Sequence, residues 1–242
     1  MTVSTVDIRP AAARFHTDIG WLDSWHSFSF GQHHDPRNVG HGLLIVSNDD
    51  RVAPAGGFGT HSHRDMEIVT WVLDGELEHR DSTGTLGVIY PGLAQRMSAG
   101  HGIQHSEMNH SKTDPVHFVQ MWVVPDTNGV EPGYEQLDVN DRLAEGGLVL
   151  VAAGDGREGA IHIHQRDAAM WVARLAEGAT VTVPDAPYMH VFVARGDVTL
   201  GDEALDLVAG DAIRLTNAGA LTLAAASAAE VILWESTRAA SR

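Results

Sequence analysis

Two short stretches carry the residues best suited to chemistry. In Gly59-Thr60-His61-Ser62-His63 two imidazoles stand at i and i+2. On an extended strand these positions project to one face, so both rings can reach a single ion. For zinc, the metal–nitrogen distance would be about 2.0–2.1 Å. His105-Ser106-Glu107 repeats the spacing farther along the chain, at a separation that suits a strand returning antiparallel across a sandwich. Together the pairs predict a site of His61, His63, His105 and Glu107 for one divalent transition metal. Held this way, a six-coordinate ion keeps open positions for substrate, oxygen or water, as open non-haem iron sites do. The donor set alone is compatible with Fe(II), Zn, Mn, Ni, Co or Cu.

The chain has 15 histidines, so a single one says little and spacing says more. His162-Ile163-His164 is a second HxH, but no HxE follows it, and it reads as an alternating strand. His79 falls near the first site without a spacing partner. His16, His26, His41, His110 and His117 read as surface or capping residues.

The elements that must position the site are strands. Short apolar runs recur between turn signals, among them Glu67–Leu73, His117–Val124, Thr180–Val183 and Met189–Ala194. Asp74-Gly75, Pro91-Gly92, Arg195-Gly196 and Gly210-Asp211 supply turns. Many short strands at regular spacing predict sandwiches or barrels. Val69–Gly75 followed by Leu86–Gly92 resembles Val191–Gly196 followed by Ala204–Gly210, so the halves read as diverged copies of one unit. Asp126–Arg142, with Pro132, Gly133 and Asn140, reads as an irregular linker. The expected division is a metal-binding domain at 1–135 and a second domain at 136–242. Aligning the glycine turns puts Thr182 and Pro184 at the places of His61 and His63, and Leu223 and Ala225 at those of His105 and Glu107. The second half therefore lacks ligands, and one metal per chain is expected.

Composition narrows the partners. The chain has 242 residues, 43% hydrophobic and 20% charged, which is an ordinary globular balance. It has no cysteine, which excludes thiolate ligands, disulfides and Cys nucleophiles. A formal charge of −16 without any basic run argues against direct nucleic-acid binding. No stretch approaches the length of a membrane-spanning helix, and Met1–Phe15 has no apolar core segment. A cytoplasmic monomer is expected.

Four stretches resemble the pirin family of bicupins. Gly57–Ser82 is similar to its first cupin motif and Met97–Asn109 to its second. Gly20–Phe30 and Val123–Gly129 match further family signatures. The resemblance is dense from Gly20 to Gln136 and diffuse beyond. It implies an all-β chain of two cupin (double-stranded β-helix, jelly-roll) barrels, with His61, His63, His105 and Glu107 as ligands and iron as the metal. Many cupins take a ligand four residues after HxH, which here is Glu67. In pirins the fourth ligand comes from HxE, so Glu67 is assigned a supporting role behind the imidazoles or on its strand. The resemblance is strongest to bacterial pirin-like quercetin 2,3-dioxygenases. This implies a flavonol-like aromatic substrate, O2 as co-substrate, release of CO, and Glu107 as the general base for the substrate hydroxyl. Phe58, Trp71 and Met97 are candidate apolar walls, and His33-His34 stands where relatives often carry aromatics at the pocket mouth. The rival implication is a non-catalytic iron-binding regulator of the transcription-cofactor type.

Overall fold

The computed structural model describes residues 4–201 and 204–240. Strands dominate, with one short α-helix at Asn140–Ala144 and one 3₁₀ turn at Ala11–Ala13 among the described residues. Each half is a pair of sheets, one of seven strands and one of four. In the first half the small sheet runs Gly57–His63, Ile103–Asn109, Leu77–Asp81, Leu86–Ile89. Its counterpart in the second half runs Thr180–Val183, Leu221–Ala225, Asp197–Leu200, Leu205–Val208, in the same order. The two halves are thus two cupin domains built on one plan, as the repeated strand–glycine–strand pattern predicts.

The chain crosses between the large sheets at both ends of the first half. Thr5–Arg9 pairs antiparallel with Ala212–Thr216 and so completes the second domain's sheet. Gly133–Asp138 pairs with Leu93–Ser98 and completes the first. The segment read as an irregular linker therefore carries an edge strand, and the expected division after residue 135 falls inside it. An edge strand made of Gly133, Tyr134, Glu135 and Gln136 is only half buried, so it shows no clear alternation for periodicity to detect.

Side-chain parity on Glu67–Asp74 divides the core. Val69, Trp71 and Leu73 join Met170, Phe192 and Trp234 in one buried cluster between the domains. Ile68 and Val72 point the other way, into clusters of the first barrel. The Trp71 indole N–H donates to Glu230 Oε1 at 2.6 Å, and the Trp234 N–H approaches Met121 Sδ at 3.0 Å. Trp71 is thus an anchor of the domain interface and not a wall of the site. Met97 also lies elsewhere, packed with Ile68, Ala99 and Ile103.

Candidate metal centre

The small sheet of the first domain brings the two motifs together. Gly57–His63 pairs antiparallel with Ile103–Asn109, placing His105 directly opposite His61 and Ile103 opposite His63. Ligand nitrogens of His61, His63 and His105 lie within 4.8 Å of one another, and this is the single such His or carboxylate group among the described residues. The ring centroids are 4.4 Å apart for His61 and His105 and 5.0 Å for His63 and His105.

The ladder slips between His105 and Glu107, so that Glu107 faces Phe58. Gly57 makes this possible. It has φ +156°, and a Cβ there would collide with the Glu107 carbonyl and lie 2.6 Å from the Met108 Cα. The Glu107 carboxylate stands outside the tight imidazole group but lines the same cavity as His61 and His63. Gln120 Nε2 donates to both of its oxygens, at 2.9 and 2.8 Å. The Trp122 N–H in turn donates to Gln120 Oε1 at 3.1 Å, which fixes the amide's orientation. Burial raises the Glu107 pKa, and the Gln120 contact opposes that rise.

His63 and His105 are prepared as neutral donors. Burial, then the neighbouring His61, lowers His63 to about 4. Burial, then His61, His63 and His79, lowers His105 to about 2. Hydrogen bonds select which nitrogen keeps its proton. His61 Nδ1 lies 2.8 Å from the Gly59 carbonyl, which can only accept, so Nδ1 holds the proton and Nε2 is the free donor. His105 Nδ1 is 3.5 Å from His79 Nδ1, and His79 Nε2 is 3.0 Å from Asp81 Oδ2. Asp81 accepts from His79 Nε2–H, which leaves His79 Nδ1 to accept from His105. His105 Nε2 is then buried with its lone pair and no partner. An orphaned nitrogen of this kind is costly unless something binds it, and the three-imidazole group fits a divalent metal at that point.

His79, placed near the site by sequence but without a role, therefore stands behind His105. Tyr134 of the linker strand packs over its ring with centroids 4.7 Å apart. A Cβ on Gly87 would collide with the Tyr134 hydroxyl, so that glycine leaves room for the linker. Losing such a supporting acceptor usually costs about 10–100-fold in metal affinity. The His79→Gln protein is expected to show a loss in that range in competition with a chromogenic chelator. An unchanged affinity would leave His79 a packing residue only.

Low imidazole pKa values also set the response to acid. Protons compete for a ligand only below its pKa, and the ordinary imidazole value is about 6.5. In the metal-free protein the His63 and His105 rings are expected to stay unprotonated from about pH 7 to about pH 5.5, where ordinary histidines would already be charged. A nitrogen-15 NMR titration in which either ring gains its proton near the ordinary value would contradict this electrostatic reading.

Other sequence expectations meet the structure differently. Glu67 lies on the Trp71 face, turned away from the imidazoles. It accepts from Ser98 Oγ at 2.8 Å and pairs with His164 Nδ1 at 3.3 Å. Parity, not distance along the chain, removes it from the site. His164 thus serves the domain interface, while His162 is exposed. His26 is not a surface residue but 4% exposed, and it lines the cavity. His16 and His110 are exposed, whereas His41 and His117 are partly buried. In the second domain Leu223 pairs with Val181 and Leu221 with Val183. The counterparts of His61 and His63 are therefore Val181 and Val183, one residue from the positions that glycine alignment selects. Both are core residues.

The cavity beside the imidazoles has a volume of about 480 Å³ and is walled by Trp21, Phe30, Phe58 and Trp122. Of the three apolar walls expected from sequence, only Phe58 lines it. Polar groups enter from the large sheet: Ser24, Asn48, Asp50 and Gln120.

Comparison with known proteins bears on both halves. The Pirin family model matches residues 8–123, and the model described as the quercetinase C-terminal cupin domain matches residues 150–235. A Mycobacterium tuberculosis protein is 56% identical over 235 residues, 96% of this chain and 95% of that one; its name assigns it quercetin 2,3-dioxygenase activity provisionally. The quercetin 2,3-dioxygenase of Escherichia coli K12 is 38% identical over 229 residues, 94% and 97% of the two chains. The crystal structure of the bacterial pirin YhhW from Escherichia coli in complex with nickel(II) superposes with a TM-score of 0.89 at 36% identity, covering 98% of this chain and 100% of that one.

Proposed function

Because the chain belongs to the pirin family, we propose that it is a metal-dependent dioxygenase that opens the central ring of quercetin-like flavonols and releases carbon monoxide. His61, His63, His105 and Glu107 are the proposed ligands, and Fe(II) the proposed metal. The observation that carries the reading is the orphaned His105 Nε2 in a group of three imidazoles at the edge of an aromatic-walled cavity. A divalent metal bound there supplies Lewis-acid polarisation of the substrate oxygen and a partner for dioxygen.

The protein's own groups do the rest. Trp21, Phe58 and Trp122 offer flat apolar surface to a planar aromatic and exclude water from it. Glu107, held by Gln120, takes the proton of the flavonol hydroxyl. Its burial raises its affinity for that proton, bringing it toward the range in which a carboxylate works as a base near neutral pH.

Protein loaded with Fe(II) is expected to consume oxygen on addition of quercetin, with loss of the flavonol absorbance and appearance of the depside. Free transition metals oxidise flavonols slowly in air, so the comparison is with His63→Ala at the same total iron. Equal rates in the two proteins would end the dioxygenase reading and favour a metal-binding regulator.

A further inference from the structure

The large sheet of the first domain gives the cavity a wall of linked polar groups. Leu22–His26 and Leu44–Val52 pair so that Ser24 faces Asp50 and His26 faces Asn48. Ser24 Oγ donates to Asp50 Oδ1. His26 Nδ1 lies 2.9 Å from Asn48 Oδ1 and 3.4 Å from Ser24 Oγ. On the other side of the ring, His26 Nε2 lies 3.0 Å from Thr17 Oγ1, which is 3.1 Å from His33 Nε2. His33 sits in a surface loop between the exposed Gln32 and His34, while Asp50 is 3% exposed.

Counting donors gives the chain a direction. Asn48 Oδ1 can only accept, so His26 carries its proton on Nδ1 and its Nε2 is a lone pair. The Thr17 hydroxyl therefore donates to His26, and its oxygen accepts from His33 Nε2–H. Ser24 gives its one proton to Asp50, and its oxygen faces the His26 Nδ1–H. The His26 Nδ1–H is shared between Asn48 Oδ1 at 2.9 Å and Ser24 Oγ at 3.4 Å, and the other donors of the chain point from the surface toward Asp50.

We propose that His33, Thr17, His26, Ser24 and Asp50 form a proton relay that carries a proton from solvent to Asp50, which then donates it to an oxyanion bound in the cavity. In the transfer, the Ser24 O–H breaks as Asp50 O–H forms. Ser24 takes the His26 Nδ1 proton, His26 Nε2 takes that of Thr17, and Thr17 takes that of His33 Nε2. His33 Nδ1 recovers one proton from water, and no electrons move. A ligand that fills the cavity shuts out bulk water, and the chain then remains as a route.

What the proton serves rests on the dioxygenase reading. Both atoms of O2 end in the depside, one in its ester and one in its new carboxylate, and the hydroxyl-bearing carbon leaves as CO. Glu107 holds the hydroxyl proton until product release returns it to water. Asp50 gives its proton to the new carboxylate, whose charge the buried cavity beside Glu107 disfavours; the released acid returns that proton to water, and the relay refills Asp50.

The electrostatics agree with these roles. Burial, with Asp49, Glu107 and Asp23 nearby, raises Asp50 to about 7, so it can both hold and release a proton near neutrality. Burial lowers His26 despite its Asn48 bond, and His33, His16 and Arg14 push the same way, which keeps the ring neutral as a relay requires.

The test uses the full-length, iron-loaded protein with Thr17→Val, which keeps shape and removes the hydroxyl. The expected result is a fall in kcat of about tenfold or more, with metal content and KM for quercetin within about twofold. Thr17→Ser should restore the rate. Full kcat in Thr17→Val, or no recovery in Thr17→Ser, overturns the relay. A second measurement needs no substrate: nitrogen-15 NMR of the zinc-loaded protein at neutral pH should show His26 as the neutral Nδ1–H tautomer. The Nε2–H tautomer or an imidazolium would break the donor order and overturn the proposal. A wild-type protein inert toward flavonols would sink the dioxygenase reading, and the His26 tautomer would still decide the relay.

Discussion

Replacing His105 by Ala is expected to leave a folded protein that retains no metal. Wild type should carry about one equivalent of divalent metal after desalting, and the variant less than about a tenth of that. The size of the effect follows from position. His105 is 2% exposed, its ring lies 4.4 Å from that of His61 and 5.0 Å from that of His63, and it alone has a buried nitrogen with no partner in the imidazole group. Removing it leaves the two rings of one strand and Glu107, which stands outside the tight imidazole group. The fold should tolerate the change, because the deletion costs about 1–3 kcal/mol and the barrel core of Val52, Val72, Leu77 and Phe118 is untouched. Changing His162 and His164 together to Ala should preserve the metal. Elemental analysis showing two metals per chain, or full retention in His105→Ala, would refute the assignment.

How far the site could be read from sequence depends on which geometry each feature needs. HxH and HxE need only the two-residue period of a strand, and that is local. Their meeting across Gly57–His63 and Ile103–Asn109 follows from the antiparallel return. The bulge that turns Glu107 toward Phe58 is not local, because it depends on Gly57 allowing one backbone to approach another. Glu67 is the converse case. It follows the imidazoles at a plausible spacing, yet it begins a strand of the other sheet, on the face turned to the second domain. The domain-interface role of Trp71 has the same cause, since an apolar strand buried on both faces does not announce which cluster each side joins. His26, Asp50 and His79 were legible only as residue types. Each gains its role from a cross-strand neighbour, and register is not written in any one segment.

The carboxylate offers the second large effect. Glu107→Gln is expected to lower ring-opening turnover by about 10²–10⁴-fold and to weaken metal affinity as well. Gln is nearly isosteric, so the strand, the bulge and the cavity should persist, and circular dichroism should match wild type. Two things are lost together: the anionic ligand and the only group in the cavity held by a donor onto both carboxylate oxygens. The new amide can accept from Gln120 through one oxygen only, and its NH₂ then faces another NH₂, so the site loses order as well as charge. Metal loss and base loss are separated by assaying the variant at saturating iron. If affinity alone matters, turnover recovers there. If Glu107 also takes the flavonol proton, turnover stays low although the metal is replete. Wild-type turnover in metal-replete Glu107→Gln would remove Glu107 from the reaction and leave Asp50 as the carboxyl group of the cavity with a proton to exchange.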